Sequence, residues 1–390
     1  MSSATVTDPS IQDVPSHDEA VARARALVPV LRQRASAAEA AGVVPDSTIE
    51  DLRRAGFFRF NTPQEFGGWG VSGRTRTEVL ATLAEGCAST AWIVGVYAGG
   101  VAGTAHASDR LKEELFADGP DLRICGSGTP TRDVERVDGG YLVSGRWFSV
   151  SGSTHADWAA LFLALPGEGD GDGPGAMAKA MVPIEEVAIE RTWDATGMRG
   201  TESETVVAEG LFVPDYRVEV LAGPPPASPA LSIGPCAIPV GIAEGVLQKA
   251  IDYAAAKPLA GTSYVPGATS TSMQNELAEA SLRIGSARLH LYRAIDQLDQ
   301  AERDGAELSV LERARIRGEA GWIMKNIVEA IDIVMTAVGA GAFAQSSAFE
   351  RSWRDVNTTA RHGAVNWIVS REVYGKVLLG QDGNISRLAV

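Results

Sequence analysis

The spacing of apolar positions changes character twice along the chain. From about Asp18 to Phe58, EAVARARALVPVLRQRASAAEAAG repeats apolar residues near i, i+3 and i+4, which lays one apolar stripe along a helix. PDSTIEDLRRAGFF follows the same rule, with Asp46 or Ser47 placed to cap its N-terminus. After the turn-rich NTPQEFGGWGVS comes RTEVLATLAEGCASTAWIVGVYAGGVAGTAH, a helical stretch too apolar all round to sit on a surface. Near Asp118 the texture shifts to short alternating segments, among them LRICGSG, DVERVDGGYLVSGRWFSVSG, WAALFLALPG and ETVVAEGLFVP. Turn signals separate them, which predicts an antiparallel sheet, with Gly167 to Gly175 as a solvated hairpin loop. In GRWFSVSGSTHADW, strict alternation puts Trp147, Ser149 and Ser151 on one face and Phe148 and Val150 on the other.

A proline-rich linker, LAGPPPASPALS, closes the sheet and the helical period returns. IPVGIAEGVLQKAIDYAAA, MQNELAEASLRIGSARLHLYRAIDQLDQAERDG, SVLERARIRGEAGWIMKNIVEAIDIVMTAVG and NWIVSREVYGKVLLG read as four long helices, a bundle. The expected organisation is α+β: a disordered lead-in over 1–17, a helical domain over 18–117, a sheet domain over 118–222 and a bundle over 230–390.

Composition narrows the function. A net charge of −14 with no basic block argues against a nucleic-acid groove. Cys87, Cys125 and Cys236 lie far apart, so neither a disulfide framework nor a metal site is indicated. The polar, acidic N-terminus lacks a signal-like apolar core. The longest apolar stretch, around Val94 to Ala105, is interrupted by glycines, and no run is expected to span a membrane. A cytoplasmic location is the expectation.

Four motifs in order carry a resemblance. FNTPQEFGGWG is similar to a P-x-x-x-GG-x-G turn, and DGGYLVSGRWFSVSGSTHADW to a flavin-contacting strand segment. GMRGTESETVVAEGLFVPDYRV is similar to a later strand pair ending in V-P, and ERSWRDVNTT to an ER-x-x-RD run before the last helix. Together they resemble the acyl-CoA dehydrogenase superfamily over nearly the whole chain. The resemblance implies an N-terminal helical domain, a middle antiparallel β-barrel and a C-terminal four-helix bundle, assembled as a homotetramer or dimer.

Two departures set the chain apart from the dehydrogenases. Aligning Arg354-Asp355 puts Gly363 where many of them carry a glutamate base, with His362 beside it. Their R-x-x-FG segment for tightly held FAD corresponds here to KPLAGTSYVPG, without the arginine or the aromatic. The chain therefore resembles the branch of two-component flavin-dependent monooxygenases, which includes phenol hydroxylases, indole-type oxygenases and amino-sugar N-oxygenases of natural-product pathways. That resemblance implies reduced FAD or FMN supplied by a separate flavin reductase, reaction with O2 to a flavin C4a-hydroperoxide, and oxygen transfer to an indole- or phenol-like aromatic. N-oxygenation of an amino sugar and acyl-CoA dehydrogenation are the alternatives. A non-catalytic flavoprotein-like scaffold gives no reason to keep flavin-facing serines.

The resemblance also assigns residues. Ser151 stands where the family contacts flavin N5, with Ser149 or Ser153 as helpers; ordinary sheet serines are the plainer reading. Ser127 and Thr129, in ICGSGTPTRD, stand where the family passes a strand along the flavin pyrimidine edge. Trp147 reads chiefly as core, with packing on the flavin ring as the second reading. Arg361, with Asn357, is a candidate for a flavin phosphate or substrate, against solvated surface. His362 is the candidate general acid/base, since an imidazole titrates near neutrality; a satisfied helix-end histidine is the alternative. Trp92, Tyr97 and His155 are the candidate substrate contacts, although His155 also reads as the exposed end of a strand. Several phenol hydroxylases of the branch carry a histidine where this chain has Tyr97.

Overall fold

The computed structural model describes residues 14–166, 176–221, 229–383 and 385. The expected lead-in up to residue 13, the hairpin loop at 167–175 and the linker at 222–228 lie outside the described residues.

Five helices come first: α1 (His17–Ala41), α2 (Asp46–Ala55), α3 (Gly73–Ala84), α4 (Ala88–Ala102) and α5 (Asp109–Leu115). Ser16 and Glu19 form a capping box that starts α1, and Gly42 in the left-handed region ends it. Helix α2 starts at Asp46 itself, after Pro45, so Asp46 is the first helical residue rather than a cap. Eight strands follow: β1 (Ile124–Thr131), β2 (Asp133–Val137), β3 (Gly140–Val150), β4 (Trp158–Ala164), β5 (Met177–Pro183), β6 (Ala188–Glu190), β7 (Glu204–Pro214) and β8 (Val218–Val220). They form two four-stranded sheets, ordered β1-β4-β5-β8 and β2-β3-β7-β6. One pair departs from the antiparallel expectation: β1 and β4 run parallel, because the β2–β3 hairpin of the other sheet lies between them in the chain.

The second departure lies in β3. Trp147 pairs with Val206 and Val150 with Glu204, so Phe148 and Ser149 together oppose the single Thr205. This is a β-bulge, and Ser149 takes the left-handed conformation at φ 59°. The extra residue breaks strict alternation. Trp147 and Val150 are both fully buried, while Phe148 and Ser149 face outward. Trp147 therefore does not share a face with the serines. Its indole N–H donates to the Phe162 carbonyl at 3.1 Å, inside the core.

The bundle comprises α6 (Ala230–Ile233), α7 (Ala237–Ala256), α8 (Thr271–Asp304), α9 (Val310–Val338), α10 (Ala348–Thr359) and α11 (Trp367–Leu378). The four predicted long helices are α7, α8, α9 and α11. Helix α7 packs tightly on α3, where a Cβ on Gly241 would meet the Ala81 carbonyl oxygen at 1.9 Å. Contrary to the expectation that no stretch is apolar enough, Ala230–Ala256 has the length and composition of a membrane span, with mean hydropathy 1.6. Of its most apolar 18-residue window, 67% is buried inside this fold, where its apolar surface forms bundle core. One hydrophobic cluster runs through helices, sheets and bundle, including Leu31, Ile93, Val150, Leu161 and Ile323.

Candidate functional site

Where the three parts of the chain meet there is a cavity of about 240 Å³. Its wall comes from α4 (Trp92), the bulged end of β3 (Ser149, Ser151), the loop before β7 (Trp193, Met198, Thr201, Ser203) and the end of α10 with its following turn (Thr358, Thr359, Arg361, His362). Five residues singled out from the sequence thus come together: Trp92, Ser149, Ser151, Arg361 and His362. Among the described residues that line it there is no carboxylate.

The loop before β7 is held by several unusual contacts. Asp355, fully enclosed in α10, accepts the Met198 N–H at 2.6 Å. Burial pushes the Asp355 carboxyl up to about 6. Met198 itself lies in the left-handed region. Gly197 passes so close to α10 that a Cβ there would meet the Arg354 carbonyl oxygen at 2.3 Å. Glu204 receives the N–H groups of Thr192 and Trp193 at 2.5 and 2.9 Å. This clamping presents Thr201 and Ser203 to Ser151, whose Oγ lies 2.7 Å from Ser203 Oγ and accepts from Trp92 Nε1 at 3.1 Å.

His362 sits in the turn after α10, its ring edge-on to Trp92 at a centroid distance of 5.4 Å. The side chain is accessible where it lines the cavity, but the protein crowded around it desolvates the cation. That desolvation, followed by the positive charge of Arg317, holds its pKa below the ordinary imidazole value. Nδ1 accepts the Ala364 N–H at 3.2 Å, which assigns the proton of the neutral ring to Nε2. Arg317 is 2% exposed in α9 and has no ion-pair partner among the described residues. Its guanidinium reaches Ser232 Oγ at 2.9 Å and the Gly363 carbonyl at 2.8 Å. Arg361 is exposed at the rim, donating to Asn357 at 2.8 Å.

The remaining candidates lie outside the lining. Ser153 is buried and donates to the Glu202 carbonyl at 3.1 Å. Tyr97 is buried in α4 and its hydroxyl donates to the Gly152 carbonyl at 2.7 Å, supporting the turn after β3. Burial drives that phenol well above its usual pKa. His155 is not the exposed end of a strand: its side chain is 11% exposed, held between Glu202 at 2.9 Å and Asp46 at 3.0 Å. Ser127 and Thr129 lie on β1, with Ser127 Oγ 3.4 Å from the Phe148 carbonyl. Trp147 belongs to the core, for the reason the bulge supplies. Sequence reasoning passed over Thr201, Glu202, Ser203 and Arg317. The available signal for the first three was an unbroken polar run, TESE, directly before an apolar strand.

The chain matches the acyl-CoA dehydrogenase N-terminal domain over residues 15–118 and the acyl-CoA dehydrogenase C-terminal domain over residues 233–367. It belongs to the acyl-CoA dehydrogenase superfamily, and within it to the branch of two-component flavin-dependent monooxygenases. The oxygenase component of FADH2-dependent resorcinol hydroxylase from Rhizobium sp. is 29% identical, covering 94% of this chain and 95% of that protein. The flavin-dependent monooxygenase oxygenase subunit HsaA from Rhodococcus jostii is also 29% identical, covering 88% and 93%. The solved structure of XiaF from Streptomyces sp., in complex with FADH2 and glycerol, superposes with a TM-score of 0.90 at 28% identity, covering 96% of this chain and 98% of that one.

Proposed function

We propose that this chain is the oxygenase component of a two-component system that takes reduced FAD or FMN from a separate reductase and uses O2 to hydroxylate a small, electron-rich aromatic of phenol or indole type. The observation that carries this reading is the cavity itself: hydroxyls, two tryptophans and a histidine, without a carboxylate. An acyl-CoA dehydrogenase needs a base to remove an α-proton, and no acidic side chain is among the described residues that line the cavity. An amine-bearing sugar would want a carboxylate for its charge, and none is among the described residues of the wall. The tryptophans offer flat apolar faces to an aromatic ring.

The residues fit a flavin ring. Ser151 Oγ offers an acceptor at the wall, Ser149 and Thr358 add further hydroxyls, and Arg361 at the rim suits an anionic phosphate. When bound, reduced flavin supplies the two electrons that split O2 between the hydroxyl of the product and one water. The protein's tasks are orientation and control of protons. Ser151 holds a ring N–H without offering an acid, and Trp92 and Trp193 exclude water from the apolar faces. His362, neutral near pH 7 with its proton on Nε2, donates a hydrogen bond to a substrate oxygen or nitrogen. Its base function requires the proton to move to Nδ1 and the Ala364 contact to break. We also propose a homo-oligomer, dimer or tetramer, supported by exposed Leu282 and Leu289 on α8 and Ile368 and Leu378 on α11.

The test mixes the protein with chemically reduced flavin, isotopically labelled O2 and resorcinol or indole as probes. The expected result is a hydroxylated ring carrying one labelled oxygen, with yield per flavin lowered by at least about tenfold in Ser151→Ala, as for loss of one catalytic hydrogen bond. Hydrogen peroxide as the sole product with a broad set of phenols and indoles, or flavin reduction by an acyl-CoA, sinks the proposal.

A further inference from the structure

Ser151 belongs to a line of hydroxyls whose directions can be counted out. Thr201 Oγ1 lies 2.8 Å from the Met198 carbonyl oxygen, which has no proton to give, so the Thr201 hydroxyl donates there. Thr201 Oγ1 is also 2.8 Å from Ser203 Oγ. With the threonine's one proton committed, Ser203 must be the donor of that pair. Ser203 Oγ is 2.7 Å from Ser151 Oγ, and by the same count Ser151 donates to Ser203. Trp92 Nε1, a donor only, completes the line at 3.1 Å from Ser151 Oγ. The bonds run one way, from Trp92 through Ser151, Ser203 and Thr201 to the Met198 carbonyl.

The far end of this line is rigid and shielded. Thr201 is 1% exposed and Ser203 5%. The Met198 carbonyl that anchors it also accepts Trp193 Nε1 at 3.0 Å and the Thr201 N–H at 3.2 Å, and the N–H of Met198 itself is held by Asp355 at 2.6 Å. Reversing the line would turn the Thr201 oxygen lone pairs onto the Met198 oxygen at hydrogen-bond distance, an unfavourable contact that also gives up the Thr201 hydroxyl's bond to that carbonyl. Ser151 is therefore left with a lone pair for the cavity and no proton for it.

We propose that Thr201 and Ser203 are positioning residues that keep Ser151 an acceptor, so that its hydrogen-bond direction is set from behind the wall. The inference rests on the flavin reading above and names the residues that hold Ser151 in its role, with the preference for one redox form as the readout. Reduced flavin carries a proton on N5 and donates from it; oxidised flavin presents a lone pair at the same atom. An acceptor-only hydroxyl bonds the first and repels the second. This suits a protein that must load the reduced cofactor and release the oxidised one, and it keeps a hydroxyl proton away from the reacting oxygen.

The experiment is a pair of equilibrium titrations of the full-length chain, anaerobic with chemically reduced FAD and aerobic with oxidised FAD, read as Kd. Wild type is expected to bind the reduced form more tightly. Thr201→Val removes the acceptor of Ser203, whose proton then turns to Ser151 and frees the Ser151 proton for the cavity. Ser203→Ala frees it directly. Both variants are expected to lower the ratio of oxidised to reduced Kd by about 3- to 10-fold, the worth of one hydrogen bond, while Thr201→Ser restores it. Equal weakening of both redox forms, the mark of a merely structural role, overturns the proposal, as does an unchanged ratio in whichever of the two variants folds. Absence of binding by wild type in either redox state overturns the flavin reading together with the inference, whereas binding with an unmoved ratio overturns the inference alone.

Discussion

His155, outside the cavity lining, and His362, on it, have opposite surroundings. Burial lowers the pKa of both, because protein around an imidazole disfavours the cation. At His155 that effect is outweighed by Glu202 and Asp46, each bonded to one ring nitrogen, and the net shift is upward. At His362 the neighbouring charge is the Arg317 cation, which adds to the effect of burial, and the net shift is downward. An imidazole with both nitrogens on carboxylates has nothing left to offer a substrate. One with a backbone N–H on Nδ1 and no hydrogen bond at Nε2 among the described residues does. Residue type does not distinguish the two; the partners on the ring do.

The largest expected effect breaks the surroundings of His155. Glu202 is 1% exposed, takes a left-handed backbone and accepts both His155 and the Val44 N–H, at 3.0 Å. Glu202→Ala leaves His155 Nδ1 and the Val44 amide without their acceptor in a buried site, and should cost about 3 kcal/mol. Chemical denaturation checks this. His362→Ala, at a cavity wall, should move the midpoint far less, and equal losses in the two variants would erase the contrast.

The next effect is on pH dependence, with opposite signs. The folded-state pKa of His155 is raised, so its contribution to stability is complete below about pH 6.5, the unfolded value, and is lost as pH rises through the folded value. The gap in Tm between wild type and His155→Gln should therefore narrow on going from pH 6 towards pH 8. His362 has a lowered pKa, so its contribution is present above about pH 6.5 and is lost as pH falls through the lowered value. Arg317→Met, by removing the cation, should bring the His362 titration back towards the ordinary value, followed by NMR of the ring proton, whereas Arg317→Lys should leave it lowered. A downward movement in Arg317→Met contradicts the charge assignment.

Much of this was legible in the sequence, and what was not has a common cause. The order of helices, sheets and bundle follows from local periodicity, which needs no tertiary knowledge. Ser151, Trp92, Arg361 and His362 could be named because motifs fix their places in the fold. The partners of those residues could not. Ser203 reaches Ser151 across 52 positions, and Glu202 reaches His155 across 47. Arg317 reads as one more polar residue on an amphipathic helix, and only α9 packed beneath the His362 turn gives it meaning. The N-cap of α2 slipped by a residue, a common uncertainty at helix ends.

The bulge in β3 shows the same limit most locally and gives the smallest prediction. Nothing in the letters of Phe148-Ser149-Val150 announces an extra residue, and period-two counting across it puts Trp147 beside Ser151. The bulge instead turns Trp147 into the core with Val150, so its indole serves the Phe162 carbonyl. Trp147→Phe should then cost about 1 kcal/mol of stability for the lost hydrogen bond, plus a little for the smaller ring. The flavin Kd should stay within twofold of wild type, roughly the scatter expected of a distant, uncoupled site. If the variant keeps its Tm and instead loses flavin affinity by an order of magnitude, the ring faces the ligand and the wall has been drawn on the wrong side of the strand. Stability lost with binding retained places the division between core and wall at the bulge, two residues before Ser151.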